Sequence, residues 1–289
     1  MPRPGSTVGC CQNRVVIRNL RERARVKFVR ALQDYVVAEV RADLERTTRG
    51  LRDELVEARE ELRALEGSMK AWERRQRRDL LTVTDQVAAR SSAQFQLDEM
   101  PRATPYFAKT DTLVAAVKAA PREGLYLEFG VHTGSTLRTI SELAPAGSVY
   151  GFDSFEGLPE DWRTQYRAGA FAVDELPDVP GAELVVGWFD QVLPGFLTDH
   201  TDDVAFLHLD ADLYSSTKTV LDALEPRLRP GTVVVFDEYF NFPHWEEHEH
   251  RAWTEFVART GLRFEYLGFT ADDEQISLRI TEVTGVAGS

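Results

Sequence analysis

Apolar and polar positions change rhythm once along this chain, near residue 100. From about Asn13 to Ala93 the sequence is rich in Arg, Glu, Leu and Ala, lacks proline and reads as helix. Within it Leu44, Leu51, Leu55, Ala58, Leu62, Leu65, Met69 and Trp72 form a seam, with alternating steps of four and three from Leu51 onward. Such a seam is the signature of a short coiled coil, and a helical hairpin or a lone charged helix is the alternative reading. Arg41 and Thr48 interrupt it upstream, and Gly50 and Gly67 weaken the helix. The two prolines of "DEMPRATPYF" (98–107) then mark a boundary. Beyond it, apolar runs alternate with helical segments. Strands are expected at 125–131, 148–155, 182–189, 204–211 and 231–239, and helices at 135–144, 216–228 and 245–260. Residues 262–270 and 275–281 close the chain as an antiparallel pair. This order predicts an α/β fold, a mainly parallel sheet covered by helices on both faces. The expected division is a flexible tail (1–13), a helical region (14–97) and one α/β domain (98–289).

Charge sharpens the division. Residues 1–100 carry a net +4 and the remainder −17, within a total of −13. An acidic body argues against nucleic acid or an anionic membrane as partner, since phosphate binding needs clustered Lys and Arg. Cys10 and Cys11, adjacent, are the only cysteines, which points to a reducing cytosol. No secretion signal and no membrane-spanning run are expected.

In open α/β sheets, ligands sit at the carboxyl ends of the strands. The first strand of the domain ends in "LEFGVHTGST", where Gly130 and Gly134 permit a tight turn and the hydroxyls of Thr133 and Ser135 flank the helix start. The spacing differs from a dinucleotide fingerprint, and Glu128 suits an ammonium group rather than a phosphate. The second strand ends in Asp153, followed by Ser154; an acid there accepts bonds from both ribose hydroxyls, or caps a loop. Trp188 and Phe189 after the third strand offer an adenine wall, or else belong to the core. Together these residues describe S-adenosylmethionine (SAM) better than NAD.

The fourth strand ends in "HLDADLYSST" and the fifth in "FDEYF". Neighbouring strand ends bring Asp210, Asp237 and Glu238 together, and carboxylates so placed repel unless something neutralises them. A hard divalent cation, Mg²⁺ foremost, does so with oxygen ligands. Asp212 joins that cluster or caps the next helix. In "HWEEHEH" (244–250), His244 or His248 is read as lining the acceptor pocket, with His248 an auxiliary base beside Asp210, or both as part of a solvated helix face; the H-E-x-x-H spacing of zinc proteases is absent. His208 is expected to be a core histidine, and "DDE" (272–274) a solvated turn.

"LEFGVHTGST", "GFDSFEGLP", "HLDADLYSST" and "VVVFDEYFNFPHWEEHE", in this order, resemble the macrocin O-methyltransferase family over residues 104–270. The resemblance implies a Rossmann-like class I methyltransferase sheet of seven strands with the last antiparallel, and SAM-dependent methylation of a sugar hydroxyl. It implies that Asp210 is a metal ligand and general base, and that the acidic pair after the fifth strand completes the metal site. Family members often carry Asp-Asp where this chain has Asp237-Glu238. The heptad region lies outside the resemblance, and self-association through it is expected on its own pattern. Two rival readings are a metal-independent methyltransferase and a coiled-coil assembly protein with an inactive methyltransferase-like domain.

Overall fold

The computed structural model describes residues 9–163 and 166–283; the side chains of residues 9–17 and 19 also fall outside the description. Of the expected tail, residues 1–8 therefore lie outside the described residues, as do the side chains of Cys10 and Cys11, while residues 9–13 open a helix. The chain forms two units, Met1–Arg78 and Asp79–Ser289.

The first unit is one helix, α1 (Gly9–Arg78). Its large apolar side chains from Leu20 to Trp72 are exposed. Exposed ion pairs such as Arg77–Glu73, four residues apart, add little to its stability. No described helix is long and apolar enough to cross a membrane.

The second unit begins at Asp79, whose carboxylate accepts the Leu81 N–H at 3.0 Å and caps α2 (Leu80–Glu99). The helix expected to run unbroken to Ala93 is thus divided at residue 79. Next come β1 (Thr104–Tyr106), α3 (Lys109–Ala119), β2 (Leu125–Phe129), α4 (Ser135–Leu143), β3 (Val149–Asp153) and β4 (Ala182–Val186). They are followed by α5 (Phe189–Asp199), β5 (Val204–Leu209), α6 (Tyr214–Leu224), β6 (Val233–Phe236), α7 (Glu249–Thr260), β7 (Arg263–Thr270) and β8 (Ile276–Glu282).

The sheet order is β1-β7-β8-β6-β5-β2-β3-β4, with β8 antiparallel to both neighbours. This is the class I methyltransferase arrangement with one strand added. The eighth strand, β1, is three residues long, contains Pro105 and pairs in parallel with β7 at the sheet edge. Proline is tolerated there because an edge position leaves its missing N–H without consequence. Every residue of β2, β5 and β6 is buried, as expected for central strands covered on both faces. One face packs Phe129, Phe152, Leu207 and Phe236 under α5, α6 and α7, with Trp253 fully buried. The other packs Tyr126, Phe206, Val233 and Val235 under α3 and α4. The helix expected at 245–260 starts as a separate turn, Trp245–Glu247, and α7 proper begins at Glu249. His244 (φ 66°) and His248 (ψ −123°) break the regular path between them.

Candidate active site

The carboxyl ends of β2, β3, β5 and β6 open into a cavity of about 640 Å³. Its floor depends on Gly130, which follows β2 with φ +96°. A Cβ there would overlap the Asp210 carbonyl oxygen, so glycine alone allows the ends of β2 and β5 to approach this closely. Asp153 fixes the loop above: its Oδ2 accepts the N–H groups of Val131 (2.9 Å) and His132 (2.8 Å), and its Oδ1 accepts that of Phe155 (2.7 Å). Carboxylate oxygens carry two lone pairs each, so these bonds leave acceptor capacity toward the cavity. Trp188 and Phe189 line the opposite wall; Phe189 also sets its edge against Phe129, 5.2 Å between ring centres. Wall and core roles meet in that one residue.

The remaining cofactor candidates are arranged differently. Gly134 is buried at the start of α4, with φ +74° and no room for a Cβ beside Val179. Thr133 and Ser135 are exposed on the same turn, and the Ser154 hydroxyl accepts the Glu156 N–H at 3.1 Å. None of these four is among the described residues lining the cavity. Neither is Glu128, which is fully buried with Oε1 2.8 Å from His208 Nδ1, its partner across the β2–β5 pairing. Burial raises the Glu128 carboxyl's pKa, opposed by His208. His208 is a core histidine: burial lowers its pKa, yet Asp237 and Glu128 outweigh this and raise it to about 10.

Asp210, Asp212 and Glu238 converge, one carboxylate oxygen from each lying within 4.8 Å of the others; all three line the cavity. Burial and the nearby Asp237 charge push Asp210 and Glu238 well above the usual carboxylate range. Burial raises Asp212 to about 7 against the pull of Arg163. Asp212 has φ +59°, and the α6 start receives no side-chain cap, so it faces the cluster and leaves the helix alone. Asp237 belongs to a second group with His208 and Asp210. It accepts from Lys109 Nζ (2.8 Å) and Gln275 Nε2 (2.6 Å), and lies 3.6 Å from His208 Nε2. Burial alone would raise it, but His208 and Lys109 hold it well below the ordinary value.

The acidic cluster suits a hard cation by its donors, and Glu238 Oε2 is buried without a hydrogen-bond partner. His248 sits before α7 against Phe242, 5.8 Å between ring centres, and is not among the described residues lining the cavity. Burial and then the Arg163 charge lower its pKa.

Sequence reasoning overlooked the rim. Arg163 lies 3.9 Å over the Trp162 ring and 3.8 Å over Phe242, and its guanidinium makes a two-pronged pair with Glu274. Asp273 lies 3.4 Å from Lys109 Nζ. The "DDE" turn, expected only to be solvated, therefore frames the cavity, because the β7–β8 hairpin ends beside β6. No motif announces Lys109; it is delivered by the pairing of β1 with β7.

Residues 127–239 match a family described as a methyltransferase domain. The chain is similar to 8-demethyl-8-(2,3-dimethoxy-alpha-L-rhamnosyl)-tetracenomycin-C 4'-O-methyltransferase of Streptomyces olivaceus, at 35% identity over 32% of this chain and 42% of that protein. It is also similar to mycinamicin III 3''-O-methyltransferase of Micromonospora griseorubida, at 27% identity over 50% of this chain and 67% of that protein. Among solved structures, a calicheamicin methyltransferase aligns at 26% identity over 59% of this chain and 76% of its own, with a TM-score of 0.47. The chain spans about half the length of the curated relatives it matches. Its relatives are O-methyltransferases of natural products, in keeping with the macrocin-like motifs at the strand ends.

Proposed function

We propose that this chain transfers a methyl group from SAM to a hydroxyl of a sugar-bearing small molecule, with a divalent cation, Mg²⁺ by choice, held beside the acceptor. One observation carries the reading: a single cavity joins the Gly130 turn, Asp153 and Trp188 to the cluster of Asp210, Asp212 and Glu238. The names of the relatives, a 4'-O- and a 3''-O-methyltransferase, favour a sugar acceptor. The two cysteines, adjacent and without other partners in the sequence, favour a cytoplasmic setting.

Asp153 faces the ribose hydroxyls, and Trp188 with Phe189 flanks the adenine. Thr133, Gly134, Ser135 and Ser154 act indirectly, by shaping the turns that present Gly130 and Asp153. Glu128 does so as well, through His208. Asp210, Asp212 and Glu238 would hold the cation, while Asp237, paired with Lys109 and His208, fixes the cluster from behind. When bound, the cation polarises the acceptor hydroxyl and offsets the carboxylates' repulsion. The acceptor oxygen forms a bond to the methyl carbon as the carbon–sulfur bond breaks, leaving a neutral thioether, and the hydroxyl proton passes to Asp210. The aromatic rim of Trp162, Tyr166 and Phe171 gives the acceptor's apolar face a surface to rest on.

Calorimetric titration of SAM, paired with methyl-transfer assays on glycosylated acceptors, tests this. Asp210→Asn is expected to lower turnover by a factor of ~10²–10⁴, the usual worth of a general base, with SAM affinity changed less than about threefold. Equal loss of both would make Asp210 a cofactor-binding residue. Full activity after chelation would remove the cation from the reading, and failure of SAM to bind would end it.

A further inference from the structure

α1 carries an apolar seam that is exposed, and the charges beside that seam specify its occupant. Leu51, Leu55, Leu62, Leu65, Met69 and Trp72 are each 51–65% exposed, and Ala58 is exposed between them. In heptad terms Leu55, Leu62 and Met69 occupy the a positions, and Leu51, Ala58, Leu65 and Trp72 the d positions. Gly50 and Gly67 fall on the outward c and f positions, where a missing side chain costs no packing. The flanking e positions are Arg52, Arg59, Glu66 and Glu73, and the g positions are Glu54, Glu61, Ser68 and Arg75.

We propose that this segment pairs with a second copy of itself in an antiparallel, two-fold coiled coil, with Leu62 opposite Leu65 of the other copy. In an antiparallel pair, e faces e and g faces g. This register sets Arg59 against Glu66, Arg52 against Glu73 and Glu54 against Arg75, each contact made twice by symmetry. All four charged e positions, and Glu54 with Arg75 among the g positions, then face the opposite sign, and Glu61 faces the neutral Ser68. In the core Leu55 meets Trp72, and the small Ala58 meets the long Met69, so side-chain sizes offset one another, while at the two ends of the seam Leu51 meets Gln76. The end of α1 at Arg78 limits the overlap in this register to residues 49–78.

Competing arrangements fail on the same residues. Sliding the antiparallel pair by one heptad sets Glu66 on Glu66 or Arg59 on Arg59. A parallel pair gains Glu54–Arg59 but opposes Glu61 to Glu66, and stacks Trp72 on Trp72 and Ala58 on Ala58. Upstream, Val36, Val40 and Leu44 advance by successive fours, so their stripe turns away from the seam. The Glu73–Arg77 pair on the same helix is exposed, and leaving it for Arg52 of the second copy costs little.

Sedimentation equilibrium of the full chain from about 1 µM to about 1 mM tests the proposal, with affinity read as Kd. Glu66→Arg turns two attractive contacts repulsive, and should raise the dimer Kd about tenfold. Arg59→Glu should do the same, and the double variant Arg59→Glu/Glu66→Arg should restore the original affinity. In a parallel dimer Glu66→Arg would relieve a repulsion and tighten association. Tighter association, indifference to both substitutions, failure of the double variant to recover, or a monomer throughout the range would each overturn the proposal. All positions are exposed on one helix, and circular dichroism of each variant verifies that the helix persists.

Discussion

Asp237 and Glu238 adjoin in sequence and differ in everything else. Asp237 is surrounded by donors, Lys109, Gln275 and His208, and stays ionised. Glu238 faces Asp210 and Asp212, and burial among like charges raises it. The difference follows from strand alternation, which sends successive side chains to opposite sides of the strand end. Sequence made the acids legible as a group, because charge at the end of an apolar run demands compensation. It left open which carboxylate keeps company with which, since that depends on Lys109 and Gln275, more than 35 residues away on either side. The cluster yields a direct expectation. Mg²⁺ at about a hundred times its Kd should stabilise the protein by about 2.7 kcal/mol and raise Tm by several degrees. Asp212→Asn should shrink that rise, whereas Asp237→Asn should act chiefly by freeing Lys109. An unchanged Tm on adding Mg²⁺ in a thermal melt would speak against a cation there.

Among the elements, α2 is the one whose role the sequence concealed. Its composition continues that of α1, but Ser92 accepts the Asn241 N–H at 2.7 Å and Ser91 accepts the Trp245 indole at 3.0 Å. Phe95 meets Tyr239, Trp245, His250 and Tyr266 through ring contacts of 5.3–6.1 Å. α2 thus holds the segment after β6, which carries Asp237 and Glu238. Those contacts use two serines and one phenylalanine, too few to register as an amphipathic stripe. The strands, by contrast, were legible because buried parallel strands are continuous apolar runs; β1, three residues with a proline, was not. His250, wedged in this ring cluster, supplies a pH test. Burial depresses its pKa from 6.5 to about 4. A group depressed in this way contributes stability that is fully present above pH 6.5 and lost as pH falls through 4. At pH 4.5 the loss, discounted for partial exposure, should reach about 2 kcal/mol. His250→Phe should remove this part of the acid sensitivity in urea titrations run at both pH values; an unchanged pH slope would place the sensitivity elsewhere.

At the scale of the whole chain, sequence pattern set the major boundary near residue 98, at the prolines, whereas the two units divide at Asp79. Composition tracks helix and is alike on both sides of Asp79, so it does not register the break that this one capping residue makes between α1 and α2. The change of net charge from +4 to −17 follows the composition and is just as blind to it. The carboxylate of Asp79 that caps α2 has a practical corollary for anyone dividing this gene. A fragment begun at Asp79 carries its own start signal for the helix that braces the segment after β6. One begun at Leu80 forfeits that signal, and its Tm should fall by the equivalent of about 1 kcal/mol. One begun near residue 96 loses Phe95 and both serines, and should melt far lower in a calorimetric scan, however intact its sheet. Equal melting of all three would mean that α2 contributes nothing to the fold it touches. A cloning boundary one residue wide is, on this reading, already encoded in the chain.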